Sequence, residues 1–224
     1  GLTLSEEGTV LMDGCWMYTV TYDGAGGLTL TERRAGTHPV LDFTSCSDST
    51  GKRVVGVAAS VFYGHATLAQ FTGPDVVALG ELAMKSCQAL TNVVLSADFS
   101  SFALDSLCGC QNLRSVVPST FLKLTSIPRG VFYQDYKLSG TLCFPEVTSI
   151  GQLAFTGANG APMVSAHSII APKVKTIGDE AFYSCYMVTN LVFSDALETV
   201  GDNAFCKTER LQHFEPFLPK GLKS

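Results

Sequence analysis

The sequence repeats a pattern of about 23 residues, a period in the range of leucine-containing solenoid repeats, and this periodicity limits the fold more than any other feature. Residues 174–182 read apolar-x-x-apolar-Gly-x-x-Ala-Phe, and the same pattern returns at residues 197–205 and occurs earlier at residues 147–155. A unit with one apolar side cannot bury that side alone, whereas stacked units bury one another. The repeat therefore predicts a solenoid.

Weaker copies extend the pattern towards the N-terminus. Its large apolar position falls at seven places, Phe62, Met84, Leu107, Phe132, Phe155, Phe182 and Phe205. The shortest step lies between Phe62 and Met84, and the longest lies between Phe155 and Phe182. Because so many matches stay in register, we expect seven repeats over residues 54–217. We also expect the side chains of Phe155, Phe182 and Phe205 to be inaccessible.

Each copy continues with a second half-pattern, Cys-x-x-Leu-x-x-Val-x-apolar. After Phe182 it supplies Cys185, Val188, Leu191 and Phe193. Its last two anchors are two residues apart, the period of a strand, which predicts one parallel strand per coil. The anchors of Gly-x-x-Ala-Phe-x-x-Cys are three and four residues apart, the period of a helix. The sequence therefore predicts an α/β solenoid, with the glycine at a tight or left-handed turn.

These motifs carry a family resemblance. Residues 177–185, Ile-Gly-Asp-Glu-Ala-Phe-Tyr-Ser-Cys, followed by Val188-Thr-Asn-Leu191, resemble the BspA-like leucine-rich repeats over about three quarters of the chain. The resemblance implies a leucine-rich-repeat horseshoe. Because BspA-like proteins are typically surface or secreted proteins of host-associated microbes, and several mediate adhesion, it also implies protein binding at a cell surface.

The chain departs from the family pattern at a few positions. Residues 158–166 replace the Cys-x-x-Leu segment of one unit with about four extra residues. Met84 and Leu107 stand in place of Phe, and Asp135 and Thr208 stand in place of Cys. The strand register after residue 147 is therefore the least secure part of the alignment.

The N-terminal segment before the repeats has a different pattern. Residues 15–22 alternate and are rich in strand formers, residues 23–27 form a glycine-rich turn, and residues 28–31 form a second strand. We predict a β-hairpin that caps the exposed end of the stack. One continuous domain results, with the cap and a degenerate first coil at 1–53, seven repeats at 54–217 and a tail at 218–224.

Charge and hydropathy exclude two classes of partner. The net charge is −5 and no basic cluster occurs, so nucleic acid is not expected. No apolar run reaches the roughly 18 residues of a membrane span. The chain begins with Gly1, so we expect that a targeting segment preceded it. We expect a monomer, located outside the cell or on its surface.

The cysteines favour packing over chemistry. Cys110 occupies the same repeat position as Cys87 and Cys185, an apolar column in which a free Cys acts as a small hydrophobe. Cys108 and Cys110 alone do not supply the ligands of a zinc site, and Cys143 aligns with core position Phe193. Two further cysteines, Cys15 and Cys46, share the cap, and a disulfide between them stays open.

No catalytic constellation is recognisable. His65 takes the Cys position of its unit, so we expect it to pack, and no third group orients any histidine. Asp179 and Asp202 follow the repeat glycine, where acids ordinarily cap backbone N–H groups. We therefore expect no enzyme activity, no cofactor and no metal.

The strand segments supply the candidate site, because side chains alternate across a strand. One outward column is polar, and reads Gln70, Asn92, Ser115, Gly140, His167, Asn190, His213. The next reads Thr72, Val94, Val117, Leu142, Ile169, Val192, Glu215, with five consecutive apolar residues. We predict a partner-binding sheet face made of Val94, Val117, Leu142, Ile169 and Val192 with Asn92, Asn190, His167 and His213.

Three alternatives remain beside protein binding. In the first, the second column is apolar only because β-branched residues favour strands, and it has no role in binding. A glycan-binding module would use exposed aromatic side chains, for which the sequence offers Trp16 and tyrosines that form no evident column. A purely structural spacer would lift another domain away from a surface.

Overall fold

The structure is a computed structural model that describes residues 3–5, 9–12, 15–44, 51–157, 167–186 and 188–215. These residues form a β-solenoid of about seven turns. The predicted tail, the insertion at residues 158–166 and Cys46 lie outside the described residues, so the Cys15–Cys46 pairing stays a prediction. No helix in the described part of the chain is long and apolar enough to span a membrane.

The described elements are all strands. They are β1 (Thr3–Leu4), β2 (Val10–Met12), β3 (Trp16–Tyr22), β4 (Gly27–Gly36), β5 (Val40–Asp42), β6 (Arg53–Val57), β7 (Gln70–Thr72), β8 (Ala78–Leu79), β9 (Asn92–Val94), β10 (Ser101–Phe102), β11 (Ser115–Val117), β12 (Ser126–Ile127), β13 (Gly140–Cys143), β14 (Ser149–Ile150), β15 (His167–Ile170), β16 (Thr176–Ile177), β17 (Val188–Val192), β18 (Thr199–Val200) and β19 (His213–Glu215).

Each coil contributes two strands, a first strand before the repeat glycine and a second strand after the Cys position. The first strands form the parallel runs β4-β6-β8-β10 and β12-β14-β16-β18. The second strands form the runs β5-β7-β9-β11 and β13-β15-β17-β19. The predicted parallel sheet of second strands is therefore confirmed, and a second parallel ladder accompanies it.

The predicted hairpin is confirmed at the N-terminal end. β3 and β4 pair antiparallel, with Tyr22 opposite Leu28. The Asp23 carboxylate accepts hydrogen bonds from the N–H groups of Ala25 (2.7 Å) and Gly27 (2.9 Å), which holds the turn. β4 then pairs in parallel with β6, so the hairpin covers the first coil.

The α in the predicted α/β class is wrong, because the described residues contain no helix. In the segment after Gly80, two successive tight turns place Leu82 and Ser86 in the left-handed region, with φ of 57° and 60°. The N–H of Met84 donates to Ser106 O of the next coil at 2.8 Å. Hydrogen bonds between coils thus replace those that a helix would make within one turn, and the left-handed residues interrupt the helical backbone.

The repeat glycines begin a tight turn as predicted, because the carbonyl of Gly80 accepts the N–H of Ala83 at 3.2 Å, but the left-handed alternative is wrong. None of Gly80, Gly151, Gly178 and Gly201 has a positive φ. Instead, a Cβ on Gly178 would lie 2.5 Å from the backbone nitrogen of Gln152 in the preceding coil. These glycines are needed because neighbouring backbones approach too closely for any side chain.

The core is a stack of aromatic side chains in the C-terminal coils. The rings of successive members of this stack are nearly parallel, with centroid separations of 5.1, 5.2 and 5.4 Å along Phe132, Phe155, Phe182 and Phe205. Phe155 and Phe182 are buried as predicted. Phe205 is only half-buried, contrary to the prediction, because no described coil follows to cover it.

The Cys column lies inside the solenoid as predicted. The thiols of Cys87, Cys110 and Cys185 are buried and donate to backbone oxygens of the preceding coil, at 3.0, 3.1 and 2.7 Å. His65 is also buried in this column, where its Nδ1 accepts the N–H of Leu68 at 3.0 Å. These side chains therefore serve packing and satisfy backbone groups.

Both ladders are interrupted at the same junction, between β10 and β12 and between β11 and β13. At equivalent positions of other coils, the N–H of Gly151 donates to Ile127 O and the N–H of Leu95 donates to Val117 O, each at 2.7 Å. The interrupted junction has Pro128 and Pro118 at these two positions. Proline has no N–H, so neither ladder bond can form.

Candidate binding surface

In the N-terminal coils, the second strands place the predicted columns outward. Thr72, Val94 and Val117 are paired across β7, β9 and β11, so their side chains share one face. Val94 is partly exposed and Val117 is 46% exposed. The polar column beside them is also paired and exposed at least in part, and consists of Gln70, Asn92 and Ser115.

In the C-terminal coils, two members of the predicted apolar column are wrong. Leu142 is 2% exposed and Ile169 is fully buried, so both belong to the core. Ile169 pairs with Leu191, not with Val192. The outward apolar residues of these coils are instead Cys143, Ile170 and Val192, which pair across β13, β15 and β17 and are partly exposed. The assignment of Cys143 to the core is therefore wrong too.

The register shifts at the proline junction. The Ser139 N–H donates to Arg114 O at 3.1 Å, and Thr120 pairs with Cys143. The stretch from Arg114 to Thr120 is longer by two positions than the stretch from Ser139 to Cys143 that it faces. The extra residues therefore bulge at Pro118, and such a bulge changes which side chains face outward.

A second irregularity affects the polar column. His167 pairs with both Gly140 and Val188, and the register shifts between His167 and Ser168. Ser168 consequently takes the place opposite Asn190 that was predicted for His167. The polar column of the C-terminal coils is Thr141, Ser168, Asn190 and His213.

Two rows thus run along the outward face. We call them the outward apolar row, made of Val94, Val117, Cys143, Ile170 and Val192, and the outward polar row, made of Gln70, Asn92, Ser115, Thr141, Ser168, Asn190 and His213. Neither row contains a Lys, Arg, Asp or Glu. Acidic side chains flank the apolar row at its two ends, as Asp42 on β5 and Glu215 on β19.

The polar row is partly pre-ordered. Ser115 Oγ donates to Asn92 Oδ1 at 2.8 Å, and His213 Nε2 lies 3.1 Å from Glu215 Oε1. Asn190 Oδ1 is buried and, among the described residues, accepts no hydrogen bond. This face therefore presents apolar side chains without formal charge beside fixed hydrogen-bonding groups.

The buried cysteines and Asp179 have structural contacts. Burial raises the pKa of Cys108 to about 11 and that of Cys185 to about 12, so both stay protonated thiols at neutral pH. Within the described ranges, no three His, Cys, Asp or Glu side chains are grouped to hold a metal. Asp179 Oδ1 accepts the Asp202 N–H at 2.9 Å, so this acid caps the backbone of the next coil.

Solved bacterial structures share this fold. A T. pallidum leucine-rich-repeat protein is 23% identical, with a TM-score of 0.68 over 87% of each chain. A leucine-rich cell surface protein from Faecalibacterium prausnitzii is 18% identical, with a TM-score of 0.64 over 90% of this chain and 53% of that one. A leucine-rich-repeat protein from Eubacterium ventriosum is 16% identical, with a TM-score of 0.70 over 98% and 54%.

The present chain spans about half the length of the last two proteins. A search of curated protein sequences found no match. Residues 47–161 and 163–224 match the BspA-type leucine-rich-repeat region in six copies. Most of the chain is covered by this match, and so the protein belongs to the BspA-type leucine-rich-repeat family.

Proposed function

We propose that this chain is a non-catalytic protein-binding module that binds its partner through the outward apolar row. The observation that carries the proposal is the outward position of two paired groups of apolar residues, each residue at least partly exposed. Val94 and Val117 form the group before the proline junction, and Cys143, Ile170 and Val192 form the group after it. Contiguous exposed apolar surface rimmed by polar groups tends to mark an interaction site.

The physical form of the row favours a macromolecular partner. Parallel strands lie roughly 4.8 Å apart, so a row that crosses strand after strand presents a long, shallow surface without a deep pocket. Extended solenoid faces are used in this way by other repeat proteins. Val117 stands out most because its neighbour Pro118 begins the bulge. We place it at the centre of the contact.

We further propose that the module acts outside the cell or on its surface, as a monomer. Membership of the BspA-type family supports this location. The Faecalibacterium prausnitzii protein with the same fold is described as a cell surface protein. The partner is accordingly a protein that is accessible at the surface of another cell.

The test compares two variants that remove exposed apolar surface at different places. The first combines Val117→Ser, Ile170→Ser and Val192→Ser, and the second is Leu104→Ser, which changes a 43% exposed residue away from the second strands. Binding of labelled protein to cultured epithelial cells is measured by flow cytometry. We expect the triple variant to lose at least about tenfold in affinity, or about 1.4 kcal/mol, while Leu104→Ser binds like the parent.

Treating the cells identifies the partner class. Protease treatment should abolish binding if the partner is a protein, whereas periodate oxidation of cell-surface sugars should leave it intact. Normal cell binding by a folded triple variant would contradict the proposal. Unfolding of the triple variant would instead show that these side chains belong to the core.

A further inference from the structure

Five of the seven tyrosines lie along one edge of the solenoid, and the other two belong to the hairpin strand β3. The five are Tyr63, Tyr133, Tyr136, Tyr183 and Tyr186. Tyr63, Tyr133 and Tyr183 each follow the large apolar residue of their repeat, and Tyr136 and Tyr186 each follow the Cys position. This column is not evident in the sequence, because the intervening coils carry other residues there.

Backbone hydrogen bonds define the column at every junction. Its seven members are Tyr63, Lys85, Cys108, Tyr133, Thr156, Tyr183 and Cys206. Each junction between two members has one backbone hydrogen bond. For example, the N–H of Gly64, which directly follows Tyr63, donates to Lys85 O. The six equivalent distances along the column are 2.7, 2.8, 2.6, 2.8, 3.1 and 2.9 Å. Tyr133 and Tyr183 are therefore two coils apart on the same edge, and Tyr63 and Tyr133 are three coils apart.

The tyrosine rings are accessible, whereas Trp16 is not. Tyr63 is 55% exposed and the other four residues of the edge are partly exposed, while Trp16 is only 2% exposed. Gln134 Nε2 donates to the Tyr133 hydroxyl at 3.2 Å. Lys207 Nζ lies 5.2 Å from the Tyr183 ring centroid. The edge thus combines aromatic faces with amide and hydroxyl groups.

Three lysines lie at the edge, and one of them is paired with an acid. Lys85 Nζ pairs with Asp105 Oδ2 at 3.0 Å, and Lys137 Nζ donates to Asn112 Oδ1. Lys207 covers part of one ring, where a cation is attracted by the aromatic face. Lys137 and Lys207 keep their charge, because an amide oxygen and a phenol ring are neutral partners. The aromatic faces, amides and hydroxyl groups recognise a ligand without needing a charge on it, and the net charge of −5 disfavours an anionic one. The edge therefore favours a neutral ligand that has both apolar faces and hydroxyl groups.

We propose that this tyrosine edge is a second binding site, independent of the outward apolar row, and that its ligand is a neutral, β-linked linear polysaccharide. The C–H faces of pyranose rings pack on aromatic side chains, and sugar hydroxyl groups bond to amide and phenol groups. Tyr133 and Tyr183 are separated by two coil spacings, about 10 Å. A disaccharide unit of an extended β-1,4-linked chain covers a comparable length. Two alternate sugars that present the same face can therefore pack on the two rings.

The repeated geometry also selects the type of chain. Tyr133 and Tyr183 stand two coil spacings apart along the solenoid, and an extended, ribbon-like β-1,4-linked chain returns the same face at about that interval. An α-1,4-linked glucan is helical and curves away from a linear row. We therefore expect binding to β-1,4-linked glucans and mannans and none to amylose.

Affinity electrophoresis tests this proposal. The parent protein is run in native gels that contain hydroxyethylcellulose, glucomannan, amylose or polygalacturonate. We expect hydroxyethylcellulose and glucomannan to slow its migration. Tyr133→Ala and Tyr183→Ala should each weaken this binding about tenfold, whereas Tyr133→Phe, which keeps the ring, should retain most of it.

Tyr22→Ala is the matched control, because Tyr22 is 49% exposed and has Lys52 Nζ 4.8 Å from its ring, but lies on the hairpin. It should bind like the parent, as should the triple variant of the outward apolar row. Unchanged migration of the parent in both β-linked gels would overturn the proposal, and so would alanine variants that bind normally. Retardation by polygalacturonate alone would mean that the edge binds its ligand through charge, and this result would also overturn the proposal.

Discussion

The coils on the two sides of the proline junction differ in how faithfully they follow the repeat. In the N-terminal coils, up to Val117, the steps between large apolar positions are nearly equal and the predicted outward columns are correct. In the C-terminal coils the steps are less regular, and the predicted columns are wrong at Leu142 and Ile169. Periodicity predicts which side chains face outward only while no residue is inserted within a strand.

The two groups of coils also fill their cores differently. The large apolar position changes from Phe62 to Met84 and Leu107 in the N-terminal coils, and is an uninterrupted stack of phenyl rings from Phe132 to Phe205 in the C-terminal coils. The C-terminal coils thus have stacked rings in their core, but the last ring of the stack, Phe205, is only half-buried. The substitutions and the chemical labelling below test how this difference affects the stability of the protein and the accessibility of its side chains.

The largest effect is expected for Phe182→Ala. This ring is fully buried between Phe155 and Phe205, so we expect the free energy of unfolding to fall by about 3–5 kcal/mol. Phe205→Ala, at the half-buried end of the stack, should cost clearly less. Urea denaturation of both variants measures the difference. Equal losses would mean that the last ring is as well covered as the others.

A smaller, pH-dependent effect is expected at Asp135, the acid in the Cys column beside the junction. Burial raises the pKa of this carboxyl well above its usual value, and the hydrogen bond from the Cys110 N–H (2.9 Å) only partly opposes this. Asp135 Oδ2 has no partner among the described residues. Asp135→Cys, which restores the column, should stabilise the protein by about 1–3 kcal/mol at neutral pH.

The sign of the pH dependence follows from the raised pKa. The folded state holds the proton at pH values where the unfolded state releases it, so the parent loses stability as pH rises above about 4, the ordinary Asp pKa. The advantage of Asp135→Cys should therefore shrink as the pH is lowered towards about 4. If the stability difference between Asp135→Cys and the parent does not change with pH, the stabilisation comes from packing alone.

The smallest perturbation is alkylation of the native protein, which leaves the fold intact. Cys143 is partly exposed on the outward apolar row, whereas Cys185 is fully buried. We expect a maleimide to label Cys143 and to leave Cys185, Cys87 and Cys110 unlabelled until the protein is unfolded. Peptide mass spectrometry identifies the labelled residues. Protection of Cys143 together with the three column cysteines would return the register of β13 to the one predicted from the sequence, and labelling of the column would contradict the buried position of those thiols.

Much of this protein follows from its sequence. The period, the stacked coils, the N-terminal hairpin and the buried Cys column were predicted, because each depends on apolar residues that recur at regular spacing along the chain. The outward positions of Val94 and Val117 were predicted for the same reason. So was the family, through the Ile-Gly-x-x-Ala-Phe-x-x-Cys motif.

Other features depend on contacts between coils, and the sequence of a single coil does not show which atoms of another coil it contacts. The segment after each repeat glycine matches a helix in spacing, yet every second N–H group, such as those of Leu82, Met84 and Ser86, bonds to the neighbouring coil. The glycines are required by the close approach of the preceding coil's backbone, which is a whole repeat away in sequence. Pro118 and the bulge beside it moved Cys143 and Ile170 outward, and stacking aligned Tyr133 with Tyr183. Each is a property of the packed solenoid, because the partner atoms belong to a different coil.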